Sequence, residues 1–248
     1  MSGHSKWATI KHKKGAADKA RGKLFAKLAR QIEVAAKSGG DIDTNPTLRT
    51  AVQKAKAARM TNDAIDRAIK RGTGEGDGGT YESIVYEGYA PGGVALLIDV
   101  LTDNRNRTGS DIRNVFTRLG GSMAEPGAVS WQFGRRGVIV TAAGVDEDEL
   151  MMAALEAGAD DVVAEGDSYH VMTDPSVVYD VKEALDAAGI EVLSADAPLV
   201  SDNLVPVTDG ADARAVLRIL DALEDNDDVQ DVYSNFDISD ELMESATA

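Results

Sequence analysis

The chain has no cysteine, which removes disulfides, thiolate metal sites and cysteine nucleophiles together. Histidine is scarce: His4, His12 and His170 are the only three. The first two stand among lysines that disfavour a metal cation, and His170 alternates within a strand-like stretch, as a structural residue does. Long apolar runs are missing as well. The longest, GGVALLIDVL, is interrupted by Asp99 and is too short to span a bilayer. The first thirty residues are cationic but lack the continuous apolar stretch of a signal peptide. No Walker sequence, G-x-S-x-G elbow or H-E-x-x-H helix occurs. In DIDTNP, Pro46 and Val52 stand where a calcium loop needs glycine and glutamate. The DEDE run at 146–149 opens a helix, where carboxylates cap the end and meet the dipole. These absences read as a cytoplasmic, non-enzymatic protein with no catalytic residue, no metal and no cofactor.

What the chain does have is charge, unevenly placed. Its formal net charge is -16 over 248 residues. Yet residues 1–71 hold 17 Lys and Arg against 6 Asp and Glu, while the remainder holds 9 against 36. Two fields of opposite sign attract different counter-charges, so the two parts should have different partners. The basic part seeks polyanions. The acidic part avoids them or meets basic protein surfaces. With 43% hydrophobic residues, the whole reads as soluble and globular.

The basic part reads as three short amphipathic helices. Leu24, Leu28 and Ile32 recur every four residues, broadened by Phe25, and Gly39-Gly40 end that helix. Asn45 caps a second helix with Pro46 at its first position. A third runs through TNDAIDRAIKRG, with Asn62 as cap and Gly72 as stop. Their apolar stripes can be buried only against one another. GTGEGDGGT then follows a helix and opens a strand, the reverse of a phosphate loop, so it reads as a flexible linker.

Beyond the linker the pattern is α+β. YESIVYEGYA and GVALLIDVL flank PGG as a hairpin, SDIRNVFTRLGG is a helix, and AVSWQF alternates like a strand with Trp131 and Phe133 in the core. Residues 137–200 read as β-α-β-β-α-β, the ferredoxin-like order, with Asp174-Pro175 capping the second helix. Strand, helix and strand follow between Leu204 and Phe236. They are too few for a sheet of their own, so they complete the one begun at Tyr81. The fold class is therefore multidomain α+β. A basic helical domain (1–75) precedes a discontinuous acidic domain (76–136 plus 201–240), into which a ferredoxin-like domain (137–200) is inserted, and 241–248 form a frayed acidic tail.

Two groups of residues suit nucleic acid. The first is the arm between Lys6 and Gln31, which holds nine Lys or Arg against one acid, Asp18. A face kept for solubility usually mixes signs, whereas Lys6, Lys11, Lys13, Lys14, Lys19, Arg21, Lys23, Lys27 and Arg30 are one-sided and suit phosphate neutralisation. Trp7 suits either stacking on a base or packing against the bundle. The second group lies in LTDNRNRT. Here Asn104, Arg105 and Arg107 suit phosphate or base contacts, or else a structural turn whose arginines pair local acids.

GHSKWATIKHKKGAADKARGKLF, NDAIDRAIKRGTG, YEGYAPGGVALLIDVLTDNRNRT and VSWQF, in that order, resemble the YebC-type family over almost the entire chain. Thr61 departs from the family's pattern, which often has proline before the third helix. Bacterial members are named as transcriptional regulators, and mitochondrial members are translational activators of a cytochrome oxidase subunit. The resemblance implies three domains and a non-enzymatic role in gene expression. That role is either DNA-binding transcriptional control or action on ribosomes, including relief of stalling at proline-rich stretches.

Charge favours the ribosome. A DNA regulator would bring a strongly acidic mass near the duplex, whereas an rRNA-rich site bordered by basic proteins accommodates both signs. The expectation is a monomeric, ribosome-associated translation factor that grips RNA, with DNA as the alternative partner and neither membrane nor small-molecule substrate.

Overall fold

The computed structural model describes residues 17–74, 80–142, 144–165 and 168–247. They form a mixed α+β structure that divides into two compact units, Met1–Gln132 with Ser201–Ala248, and Phe133–Val200.

The first unit begins with helices α1 (Ala17–Ala36), α2 (Pro46–Ala57) and α3 (Asn62–Gly72). Leu28 and Ile32 of α1 bury against Leu48 and Val52 of α2 and Ile65 and Ala68 of α3. Leu24, expected in that stripe, is 44% exposed, while Phe25 beside it packs against the core. One side chain ends the first helix and starts the second. Asn45 accepts a hydrogen bond from the Leu48 amide, while its own amide donates to the carbonyls of Ala35 (2.9 Å) and Gly39 (2.7 Å). The third helix is capped at Thr61 without a side-chain bond, and the expected cap, Asn62, is its first residue. Gly72 does more than stop a helix. A Cβ there would lie 2.3 Å from the Glu33 carbonyl oxygen and 2.6 Å from the Ala36 Cβ, so α3 approaches α1 through a position only glycine fits.

Strands β1 (Glu82–Ala90) and β2 (Val94–Thr102) form the expected antiparallel hairpin, with Ala90 opposite Val94. Helix α4 (Arg105–Leu119) and strand β3 (Ser122–Ala124) follow, and β3 pairs with β1. After the second unit, α7 (Gly210–Glu224) leads into β11 (Val229–Ser234), which pairs with β2 and gives the sheet order β11-β2-β1-β3. Leu96, Ile98 and Val100, alternate residues of β2, pack against Ile112 and Phe116 of α4 and Val216 and Leu220 of α7. The short strands β10 (Val205–Pro206) and β12 (Phe236–Asp237) pair in parallel. The acidic C-terminal segment is not frayed. It forms α8 (Asp240–Thr247), whose Met243 is fully buried in the same core.

The second unit carries β4 (Phe133–Arg135), β5 (Gly137–Thr141), α5 (Glu147–Glu156), β6 (Asp161–Glu165), β7 (Ser168–Thr173), α6 (Val178–Ala187) and β8 (Val192–Asp196), and β9 (Leu199–Ser201) begins in it and ends on the residue where the first unit resumes. Its four-stranded order β6-β7-β5-β8 is that of a split βαβ unit. Ile139 and Val171 meet Leu150, Val181 and Leu185 in its core. Asp146 caps α5 through the Glu149 amide. Asp174 does not cap α6. It accepts from the Ser176 amide and hydroxyl in a turn, and the helix begins after Val177.

Candidate nucleic-acid interface

Lys6, Trp7, Lys11, Lys13 and Lys14 lie outside the described residues, as does the side chain of Lys19 within α1. Arg21 is exposed. The remaining cations of α1 sit against a specific acidic partner, the segment Glu224–Asp228 that ends α7 and enters β11.

This partnership follows from helix electrostatics. The partial negative charge of a helix C-terminus favours cations, yet the last turn of α7 contains none and adds Asp221 and Glu224 to it. Helix α1 supplies what α7 lacks. Lys23 Nζ donates to Asp225 Oδ1 (2.9 Å) and to the Asp225 carbonyl (3.1 Å). Lys27 Nζ donates to the Glu224 carbonyl (2.8 Å). Arg30 Nη1 donates to the carbonyls of Asp227 (2.8 Å) and Leu101 (3.1 Å) and reaches Asp228 Oδ1 at 3.3 Å. Its guanidinium also lies 5.0 Å from the centre of the Tyr81 ring. From α2, Lys54 approaches Asp231 at 3.6 Å. The hydrogen bond that Lys23 donates to Asp225 holds its ammonium above its ordinary pKa.

The second candidate group reaches the same place. The expected polar loop is instead the cap and first turn of α4. Asn104 is the N-cap and accepts from the Arg107 amide. Arg107 Nη2 donates to Asp103 Oδ1 (2.9 Å) and Asp228 Oδ2 (2.7 Å). Arg105 is exposed, and its carbonyl accepts from the Tyr86 hydroxyl. Asp228 also accepts from Thr108 (2.6 Å) and Thr102 (3.2 Å). Burial alone would raise this carboxyl, but the donors from Arg107 and Thr108, reinforced by the Arg107 charge and Thr102, hold it below its ordinary value. A polar cleft of about 500 Å³ opens beside it, lined in part by Arg30, Arg107, Asp111 and Asp227.

In the sequence, Glu224–Asp228 is marked only by EDNDD at the end of an amphipathic helix with no lysine or arginine in its last turn. The alternation of AVSWQF predicts Trp131 in a core strand. Residues 130–132 are instead a 3₁₀ turn with Trp131 70% exposed and Phe133 half-buried. The cause is Glu87, a buried carboxylate that accepts amide hydrogen bonds from Gly127 (2.7 Å), Val129 (2.6 Å) and Ser130 (3.1 Å). These bonds pull the loop out of strand geometry. Burial would raise Glu87, but the three amides outweigh it and hold the carboxyl below its usual range. The Trp131 indole donates to the Ala128 carbonyl (3.0 Å), which fixes the exposed ring.

Comparison with known proteins gives concordant matches across the chain. Residues 5–75 match the family model described as the TACO1/YebC protein N-terminal domain, and residues 81–236 match TACO1/YebC second and third domain. A Geobacter sulfurreducens protein named "Probable transcriptional regulatory protein" is 56% identical over 245 residues, covering 98% of this chain and 99% of its own. One of the same name from Halothermothrix orenii is 55% identical over 251 residues, covering 100% and 99%. The crystal structure of a conserved hypothetical protein from Aquifex aeolicus matches with a TM-score of 0.79 at 44% identity, covering 90% of this chain and 93% of that chain.

Proposed function

The chain belongs to the TACO1/YebC family, and from that membership we propose that it is a nucleic-acid-binding regulator of gene expression, acting as a ribosome-associated translation factor. The carrying observation is the division of charge. Residues 1–71 present 17 basic against 6 acidic residues, and the rest 9 against 36. A polyanion is the natural counterpart of the first part, because neutralised phosphates release condensed counterions. A ribosome, with rRNA beside basic proteins, accommodates both parts at once. On this reading the protein works as a cytoplasmic monomer without catalytic chemistry. It activates translation, including relief of stalling at proline-rich stretches, and grips RNA through the N-terminal cations.

A second reading has its own support. The relatives named "Probable transcriptional regulatory protein" favour a DNA-binding regulator. Co-sedimentation from cell lysate separates the two. A translation factor travels with ribosomal particles, is released by ribonuclease and by salt, and is indifferent to deoxyribonuclease. A chain absent from the ribosomal fractions at low salt would leave the DNA reading standing.

A further inference from the structure

We propose that the segment Glu224–Asp228 is a built-in competitor for phosphate. It occupies the cations of α1, so a polyanion engages them only by lifting the three-helix bundle away from the end of α7. The inference rests on the reading that α1 grips nucleic acid, and it specifies how that grip is regulated.

The geometry is that of substitution. Lys23, Lys27 and Arg30 stand at i, i+4 and i+7, a row about 10 Å long at 1.5 Å per residue. A nucleic-acid strand advances about 3.4 Å per charge, so the row spans about three phosphates. In this structure the row meets oxygens of another kind, the carbonyls of Glu224, Asp225 and Asp227, the carboxylates of Asp225 and Asp228 and, for Arg30, the Leu101 carbonyl as well. Each is an anionic or partly negative acceptor at 2.8–3.3 Å. Each N–H aimed at this segment is withheld from phosphate until that contact breaks.

The contacts also suit release. The Asp225 side chain is 80% exposed and that of Lys23 34%, so this pair is weak and screened by salt. Arg30 is the firmer point, since its side chain is 19% exposed and that of Asp228 9%. Even so, Asp228 keeps Arg107, Thr108 and Thr102 when Arg30 leaves, so opening does not strand a buried charge. A multivalent polyanion can exchange several weak contacts at once. A single small anion cannot.

The test uses the full chain with Asp225→Lys and Asp227→Lys, which repel α1 while leaving the Asp228 cluster and every cation of α1 intact. Because that change adds positive charge, the comparator is Glu125→Lys with Glu241→Lys, an equal change at two exposed acids elsewhere in the same unit. Fluorescence anisotropy with a short single-stranded RNA and a short DNA duplex should show the latch variant binding about tenfold tighter than the comparator. Equal affinities in the two variants overturn the latch and leave the grip standing. No binding by any chain at low salt overturns the grip and the latch together. A second measurement does not depend on the variants folding. The chain lacks cysteine, so Thr50→Cys with Glu241→Cys can carry a dye pair whose energy transfer should fall when either nucleic acid binds. Unchanged transfer with nucleic acid bound contradicts release of the bundle.

Discussion

Arg30 and Arg107 bind opposite oxygens of one carboxylate, Arg30 at Oδ1 and Arg107 at Oδ2 of Asp228. The first belongs to the basic helix and the second to the start of α4, so two cationic groups that look independent in the sequence share a single anion. Asp228 also receives Thr102 from the end of β2 and Thr108 from α4, and its carbonyl accepts the Leu101 amide. One residue thereby ties the exit of α7 to three other elements. It is 6% exposed, which makes its charge costly unless Arg107 and the two threonines keep donating to it.

Asp228→Asn should therefore destabilise the first unit by about 2 kcal/mol, the range for hydrogen bonds to a charged group. Urea unfolding measures it. The carboxyl is depressed in the folded state, so its contribution is present above the ordinary carboxylate pKa and is lost as pH falls through the lower folded value. The difference between wild type and Asp228→Asn should accordingly shrink in strong acid. A constant difference across that range would mean that shape, not charge, makes the residue important.

Much of this architecture is legible in local pattern. The period of Leu28 and Ile32, the Asn45-Pro46 start and the PGG turn each code an element within a few residues. The pairing of α1 with Glu224–Asp228 has no such code, because charge complementarity between distant segments carries no period. Trp131 is hidden for a related reason. The alternation of AVSWQF is genuine, but Glu87, far upstream, takes the amides that a strand would have used. Met243 is masked by its acidic neighbours, which suggest solvent although one face of α8 closes a core.

His170 should set the acid sensitivity of the second unit. It is 1% exposed, and burial pushes its pKa from 6.5 down to about 4. The unfolded chain binds the proton at higher pH, so stability is full above about pH 6.5 and declines as pH falls toward 4. The total is about 3 kcal/mol, at up to 1.4 kcal/mol per pH unit. Thermal melts of His170→Gln should be flatter across that window than those of wild type. Parallel pH profiles in the two proteins would show that the imidazole does not titrate against folding.

The loop that displays Trp131 should depend on Glu87. In a Trp7→Phe background Trp131 is the only tryptophan, and its 70% exposure predicts red-shifted emission that acrylamide quenches readily. Glu87→Gln removes the charge that accepts three amides and should cost about 2 kcal/mol. It should also raise backbone hydrogen exchange at Gly127, Val129 and Ser130. Protection unchanged at those amides would show that the loop holds its shape without the carboxylate.

Arg105 and Arg107 should separate function from stability, although they stand two residues apart. Arg107 is held by Asp103 and Asp228, so Arg107→Ala should lower the melting temperature, though only modestly because the side chain is 49% exposed. Arg105 is exposed, and among the described contacts only its carbonyl is bonded, so Arg105→Ala should change stability by no more than about 0.5 kcal/mol. If this guanidinium touches phosphate, its loss should reduce the salt dependence of binding by about 0.9 log units per log unit of salt on duplex, or 0.7 on single strands. A salt titration of binding and a thermal melt of each variant together read both roles. Arg105→Ala with wild-type salt dependence would confine nucleic-acid contact to the N-terminal cations. Arg105→Ala with the melting loss expected of Arg107→Ala would make both arginines structural.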